Sequence, residues 1–284
     1  MSAVNALLRT VFDVLMSPFR SLPPIVGLLV VSLVAAVGML LVFKATSNQP
    51  KLEEVKRQIH ACLFEIRLFN ADLVAILRAQ AEILRHNLSY LRLSAVPLLW
   101  MIVPFVLVIA QLQFHYGYRG LQPGQDFLVK VQLKDGWETS AALAPSPVST
   151  RPAASLEAPR GLKVETPAVW IPSQRELAWR LRAEEWGDYD LSLTLGGRQY
   201  SKTVQVSPGV RRRSPVRFAP SLLNELLYPA EDPLPKDAPI SAIILGYPEG
   251  SVSVFGWGVN WLILFFLLSA AFAFALRGRF GVTL

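Results

Sequence analysis

The chain of 284 residues carries a net charge of +7, one cysteine and three histidines, and 52% of it is hydrophobic against 17% charged. That balance excludes an ordinary soluble globular protein and indicates a membrane class. A single cysteine, Cys62, excludes an intramolecular disulfide framework and any multi-cysteine metal site.

Residues 1–22 come first. Val4, Leu7, Leu8, Val11, Phe12, Leu15 and Phe19 recur at spacings of three and four, with Asn5, Arg9, Asp13, Ser17 and Arg20 between them. This predicts an amphipathic helix too short to cross a bilayer, lying in the interface until Pro23-Pro24 redirect the chain. Residues 23–43 then form an uncharged apolar run, PIVGLLVVSLVAAVGMLLVF from Pro24. A signal peptide would have a shorter apolar core, roughly 7–15 residues, so the run reads as a retained first transmembrane helix.

Residues 44–92 are charged yet periodic: Leu52, Val55, Ile59, Cys62, Ile66, Phe69, Leu73, Ile76, Gln80 and Ile83 keep a 3-4 spacing through Asn70-Ala71-Asp72. One helix over this length would reach about 63 Å and strand its far end away from the membrane that the next segment must enter. A break at Asn70-Ala71-Asp72, with Asn70 or Asp72 capping the second arm, gives two arms of about 30 Å whose ends return together. The prediction is a helical hairpin with facing apolar stripes. Cys62 reads as a small filler on that seam.

Residues 93–113 and 257–276 supply the second and third apolar runs, LSAVPLLWMIVPFVLVIAQL and WGVNWLILFFLLSAAFAFAL. Pro97 and Pro104 are tolerated in the second, because membrane helices accommodate proline. Eight Lys/Arg lie between the first two runs, and Arg277 and Arg279 begin the tail 277–284; near membrane ends the opposite side has Arg9, Arg20, Arg119 and Lys130. The positive-inside rule then puts hairpin and tail in the cytoplasm, with the N-terminus and residues 114–256 outside, as in a protein of a bacterial inner membrane.

Residues 114–256 change to period two. Leu177, Trp179 and Leu181 alternate with Arg180 and Arg182, and Tyr189, Leu191, Leu193 and Leu195 alternate with Asp190, Ser192 and Thr194. Gly196-Gly197 is a hairpin turn before a strand running to Val206. Further strands are predicted at 127–133, 162–171 and 240–245, a short helix at 222–227, and an exposed Pro/Ser/Ala loop at 144–159. About seven short strands imply a two-sheet β-sandwich. The pattern W-x-L…G-x-Y-x-L, carried by Trp179, Leu181, Gly187, Tyr189 and Leu191, resembles immunoglobulin-like modules. Phe114, Tyr116, Tyr118, Trp257 and Trp261 are expected to form an interfacial aromatic belt. The fold class is thus an α+β membrane protein: three transmembrane helices, a cytoplasmic helical hairpin and an extracytoplasmic Ig-like β-sandwich.

No nucleophile elbow, glycine-rich phosphate loop or HExxH occurs, and His60, His86 and His115 are too scattered to share a metal. The expectation is a protein that is no enzyme and holds no cofactor or metal. Arg211-Arg212-Arg213 is the densest basic cluster; its predicted place outside argues against nucleic acid and leaves lipid headgroups or a solvated loop.

The order of amphipathic helix, span, basic hairpin and returning span, carried by LVFKATSNQPKLEEVKRQI and PLLWMIVPFVLVIAQLQ within residues 1–113, resembles the YidC-like membrane insertase superfamily. The resemblance implies insertion of nascent membrane segments through a hydrophilic groove, with the hairpin as receiver. The nearest candidate groove cation is Lys44, at the inner end of the first span, where snorkelling also accounts for it. The Ig-like insertion departs from the superfamily's usual layout. Two functions follow: a non-enzymatic subunit that scaffolds or assembles a membrane-protein complex, and an insertase or chaperone for membrane segments. In either, the hairpin contacts are expected at Asn70, Asp72, Arg78 and Arg85, and the partners are lipids and other membrane-protein subunits or nascent segments.

Overall fold

The structure is a computed structural model that describes residues 2–20, 22–68, 72–137 and 152–282. Among the described residues, three helices are long and apolar enough to cross a membrane: α2 (Pro24–Thr46), the stretch Ile76–Tyr116 of α4 (Leu73–Tyr116), and α6 (Trp261–Phe280). They are accompanied by antiparallel sheets, so the chain is a mixed α+β protein. It divides into two compact units: residues 1–27 with 109–262, and residues 28–108 with 263–284.

The first unit holds α1 (Ser2–Met16) and the strands. β1 (Asp126–Leu133) pairs with β5 (Glu176–Ala183) on one side and β9 (Ile240–Leu245) on the other. Beyond β5 lie β3 (Leu162–Val164) and β4 (Val169–Ile171); beyond β9 lies β8 (Val216–Phe218). The predicted strand 162–171 is therefore two strands, because Pro167 has no N–H to donate to a continuous ladder. A three-stranded sheet runs β2 (Ala154–Glu157), β6 (Gly187–Leu195), β7 (Arg198–Val206). Gly196 and Gly197 join β6 to β7 with φ of 57° and 75°, the two left-handed residues of a tight hairpin. β2 corrects part of the expected loop 144–159; residues 138–151 lie outside the described ones.

Leu177, Trp179 and Leu181 from β5 and Leu191, Leu193 and Leu195 from β6 enter one hydrophobic cluster with Val129, Val131, Val204 and Ile243. The period-two alternation thus has its cause: every second side chain of both larger sheets joins the same core. β10 (Val252–Val254) and β11 (Trp257–Val259) form a separate small hairpin. The last helix therefore begins at Trp261 rather than Trp257, since Trp257–Val259 is occupied in strand pairing.

α1 turns its polar stripe to the protein. Asn5 donates to the Glu225 carbonyl in the loop helix α5 (Leu222–Leu227), Arg9 pairs with Asp232, and Phe12 and Met16 are buried between these polar anchors. Leu7, Val11 and Val14 are 65%, 51% and 67% exposed on the opposite face. A soluble protein would present the reverse, so this helix is built for an apolar exterior. The expected aromatic belt is corrected in the same unit. Phe114, Tyr116 and Trp261 are buried, with Tyr116 stacked on Trp261 at 6.5 Å and Phe114 against Tyr118 and Tyr228. Ring packing satisfies these aromatics internally, and Trp257 is the belt residue left well exposed.

In the second unit α3 (Gln49–Leu68) ends just before residues 69–71, and α4 starts at Leu73. Lys56 lies over the Tyr90 ring at 5.5 Å, and Cys62 Sγ approaches Glu82 Oε2 at 3.9 Å. Both pairs are centred near residue 73, so α3 and the first part of α4 run antiparallel as a hairpin. α4 continues without interruption through Pro97 and Pro104 for 44 residues, about 66 Å. Leu40, Phe43, Leu52 and Val282 form the hydrophobic cluster at the hairpin's base, with Tyr90, Leu93, Met101 and Leu276 against it.

Candidate functional site: the hairpin surface

Asp72 caps α4. Its Oδ1 accepts from the Val74 N–H at 2.9 Å and its carbonyl accepts from Ile76 N–H at 3.0 Å, satisfying donors that a helix start leaves open. Asn70 lies outside the described residues. Arg78 and Arg85 are exposed, and among the described residues neither enters an ion pair.

Between them runs the feature that the sequence reading passed over. Leu73, Leu77, Leu84, Leu88, Leu91, Leu98 and Ile102 are all more than half exposed. At about 100° per residue they fall within roughly 80° of arc, an apolar stripe along α4 with exposed Gln80 at its edge. The seam that faces α3 is elsewhere: Ala79 is buried, Glu82 meets Cys62, and Tyr90 meets Lys56. α4 is therefore apolar on two faces: the chain covers one, and of the other Leu98 and Ile102 also line a cavity among α2, α4 and α6. Arg78 and Arg85, at i and i+7, flank the open stripe on one side. Leu63, Phe64 and Leu68 add exposed apolar surface near the end of α3. Isolated exposed leucines need no explanation, whereas a continuous stripe on an otherwise charged hairpin does. The 3-4 spacing marked this helix as amphipathic, but it could not separate the seam from the second stripe.

Lys44 does not stand free at a groove. Its Nζ donates to the Phe280 carbonyl at 2.7 Å, which places a cation on the C-terminal carbonyls of α6. A cavity of about 300 Å³ opens among α2, α4 and α6, lined by Ala36, Met39, Met101, Phe105, Phe266 and Ser269 among others. Its lining includes no charged side chain. The hydroxyls of Ser32, Ser94 and Ser269 are buried with no partner among the described residues.

In the hairpin, ligand atoms of Cys62, Glu65 and Glu82 lie within 4.8 Å of one another. Burial, then Glu82 and Glu65, push the Cys62 thiol pKa up, so the free thiol stays protonated near neutrality.

The basic cluster of the first unit differs from its expected form. Arg211 keeps an exposed pair with Asp188 at 3.2 Å. Arg212 Nη2 lies 2.6 Å from Asp13 Oδ2, and His115 Nε2 lies 3.5 Å from Asp13 Oδ1 while its Nδ1 contacts the Gln111 carbonyl at 3.0 Å. Burial opposes charge on Asp13, but the hydrogen bond from His115 and the Arg212 guanidinium outweigh it and hold the carboxyl below its ordinary value. Arg213 is 2% exposed and donates to the carbonyls of Tyr118, Ser207, Gly209 and Arg211. It is not a solvated loop residue: close approach of residue 120 to the Ser207 carbonyl, where a Cβ would stand at 2.0 Å and only glycine fits, folds the segment over its guanidinium. Lys202 is also buried, bonded to Ser214 and paired with Glu231. Period-two reading placed it simply on a strand, and no local signal announces a buried lysine whose partner is 29 residues away.

No protein-family model, no curated protein and no solved structure matches this chain.

Proposed function

We propose that this protein is a non-enzymatic integral membrane subunit that scaffolds or assembles a membrane-protein complex, binding an apolar helix of a partner membrane protein along the open stripe of α4. The stripe carries this reading. It extends from the hairpin turn into a helix apolar enough to span the bilayer, so its occupant must be apolar over both a water-facing and a lipid-facing length. A membrane-protein segment has that chemistry. The two larger sheets, sharing one core, are read as an Ig-like β-sandwich outside the cell, with the N-terminus beside it and the hairpin and C-terminus in the cytoplasm. The excess of Lys/Arg on the hairpin supports that orientation in a bacterial inner membrane.

The hairpin's layout and its open stripe also favour a second reading, a YidC-like insertase or chaperone that holds such segments transiently. The uncharged lining of the cavity among α2, α4 and α6 weighs toward the scaffold, because polar flanks crossing the bilayer would find little there to replace water.

Photocrosslinkers at Leu84 and Leu88 separate the two readings. The scaffold reading expects one membrane-spanning partner, captured equally before and after translation is arrested. Many nascent membrane proteins, lost on arrest, would establish the insertase instead, and capture of lipid alone would sink both.

A further inference from the structure

A feature that the hairpin reading leaves unused is a cavity of about 250 Å³ in the first unit. Its wall includes Pro24, Tyr116, Arg119, Ser207, Arg213 and Val252, and no aspartate or glutamate. Arg213 brings a buried positive charge to this wall. Its terminal nitrogens are held by backbone carbonyls, yet among the described residues no carboxylate comes within ion-pair distance, and its Nε has no partner. Carbonyl dipoles orient a guanidinium without neutralising it, and a buried cation without a counter-charge is costly. Two more residues of this wall, Ser207 and Tyr116, have buried hydroxyls without a partner among the described residues. Native proteins rarely leave three such donors unsatisfied around one space. Arg119 adds a second guanidinium, exposed, with its Nε on the Glu249 carbonyl at 3.1 Å.

We propose that this cavity binds a phosphate group, as carried by an acidic phospholipid headgroup or by free phosphate. Two arginines on one wall suit the oxygens of a phosphate, which accept forked guanidinium hydrogen bonds. The volume lies just below the roughly 300–1,000 Å³ of sites for drug-sized ligands and suits a small polar group. The position is that of a bilayer interface. Pro24 begins the first candidate span and Tyr116 ends the second. Val252 belongs to the β10–β11 hairpin, whose tip carries Phe255 and Trp257 at 99% and 79% exposure. Exposed aromatics beside the start of a span are anchors at headgroup level. The proposal does not depend on what occupies the α4 stripe.

The test uses the purified full chain and its thermal unfolding, read by circular dichroism. Wild type is titrated with inorganic phosphate in a neutral sugar detergent, and separately placed in nanodiscs of phosphatidylglycerol or of a phosphate-free glycolipid. A phosphate-bearing probe is expected to raise Tm by a few degrees. Arg119→Gln and Ser207→Ala, which leave the carbonyl cage of Arg213 in place, should each raise the probe concentration needed by about tenfold. Stabilisation by inorganic phosphate alone identifies a free-anion site, and stabilisation by phosphatidylglycerol alone identifies a headgroup site. The proposal is overturned if neither probe raises Tm, or if both variants respond as wild type does.

Discussion

Lys202, Arg212 and Arg213 of the β unit are all drawn against carboxylates or carbonyls, whereas Arg78 and Arg85 of the hairpin enter no ion pair among the described residues and stand beside exposed leucines. The β unit buries charge and satisfies most of it from within its own chain. The hairpin does the opposite, keeping its charges in water and leaving apolar surface uncovered. A region that has used its polar groups internally is set up for rigidity, while one that leaves an apolar stripe open is set up to be completed by something else. The contrast is the ground for proposing partner binding on α4 and structural cohesion in the β unit.

The sharpest break of that contrast is Glu231→Ala. Burial lowers the Lys202 pKa and Glu231 counters it, so removing Glu231 leaves a buried amine with Ser214 as its remaining partner. The expected cost is roughly 3–5 kcal/mol, seen as a lower unfolding midpoint of the full chain in denaturant. A comparable loss in the other unit requires its core rather than its charges: Leu52→Ala, at a fully buried position of the hairpin base, should cost about 2–5 kcal/mol by the same measurement.

Asp13 gives a smaller and pH-dependent effect. Its folded pKa lies below the ordinary 3.8, so the docking of α1 is fully supported above that pH and is lost as pH falls through the lower folded value. Amide exchange in α1 should accelerate below about pH 3.8 in wild type. Asp13→Asn should show the faster exchange already at neutral pH, and equal protection in the two proteins would break the assignment. The smallest expected change in stability comes from Leu84→Ser with Leu88→Ser. Both side chains are exposed, so unfolding should shift by no more than about 0.5 kcal/mol per site. Partner crosslinking from a probe placed at Leu77 should nevertheless be lost; a large destabilisation would mean that the chain itself covers the stripe.

Much of this architecture was legible because its signals are local. The apolar runs, the Gly196-Gly197 turn, the alternation of Leu177, Trp179 and Leu181, and the cap at Asp72 each rest on a few neighbouring residues. The candidate sites were less legible. Arg213 was visible as a basic residue but not as a buried one, since its carbonyl partners come from residues 118, 207, 209 and 211 of a folded loop and a distant chain segment. Lys44 was visible at a span's end, but its partner is the Phe280 carbonyl, 236 positions on.

The sequence by itself determined that three segments are too apolar and too long for water, that a charged helical pair must return between two of them, and that strands follow. Those are properties of period and composition, written into consecutive residues. Only the tertiary structure decided which apolar face of α4 is covered, which arginines are buried, and where a cation lacks its counter-charge. Burial and pairing depend on what other segments bring to a place, and no short stretch of chain contains that information.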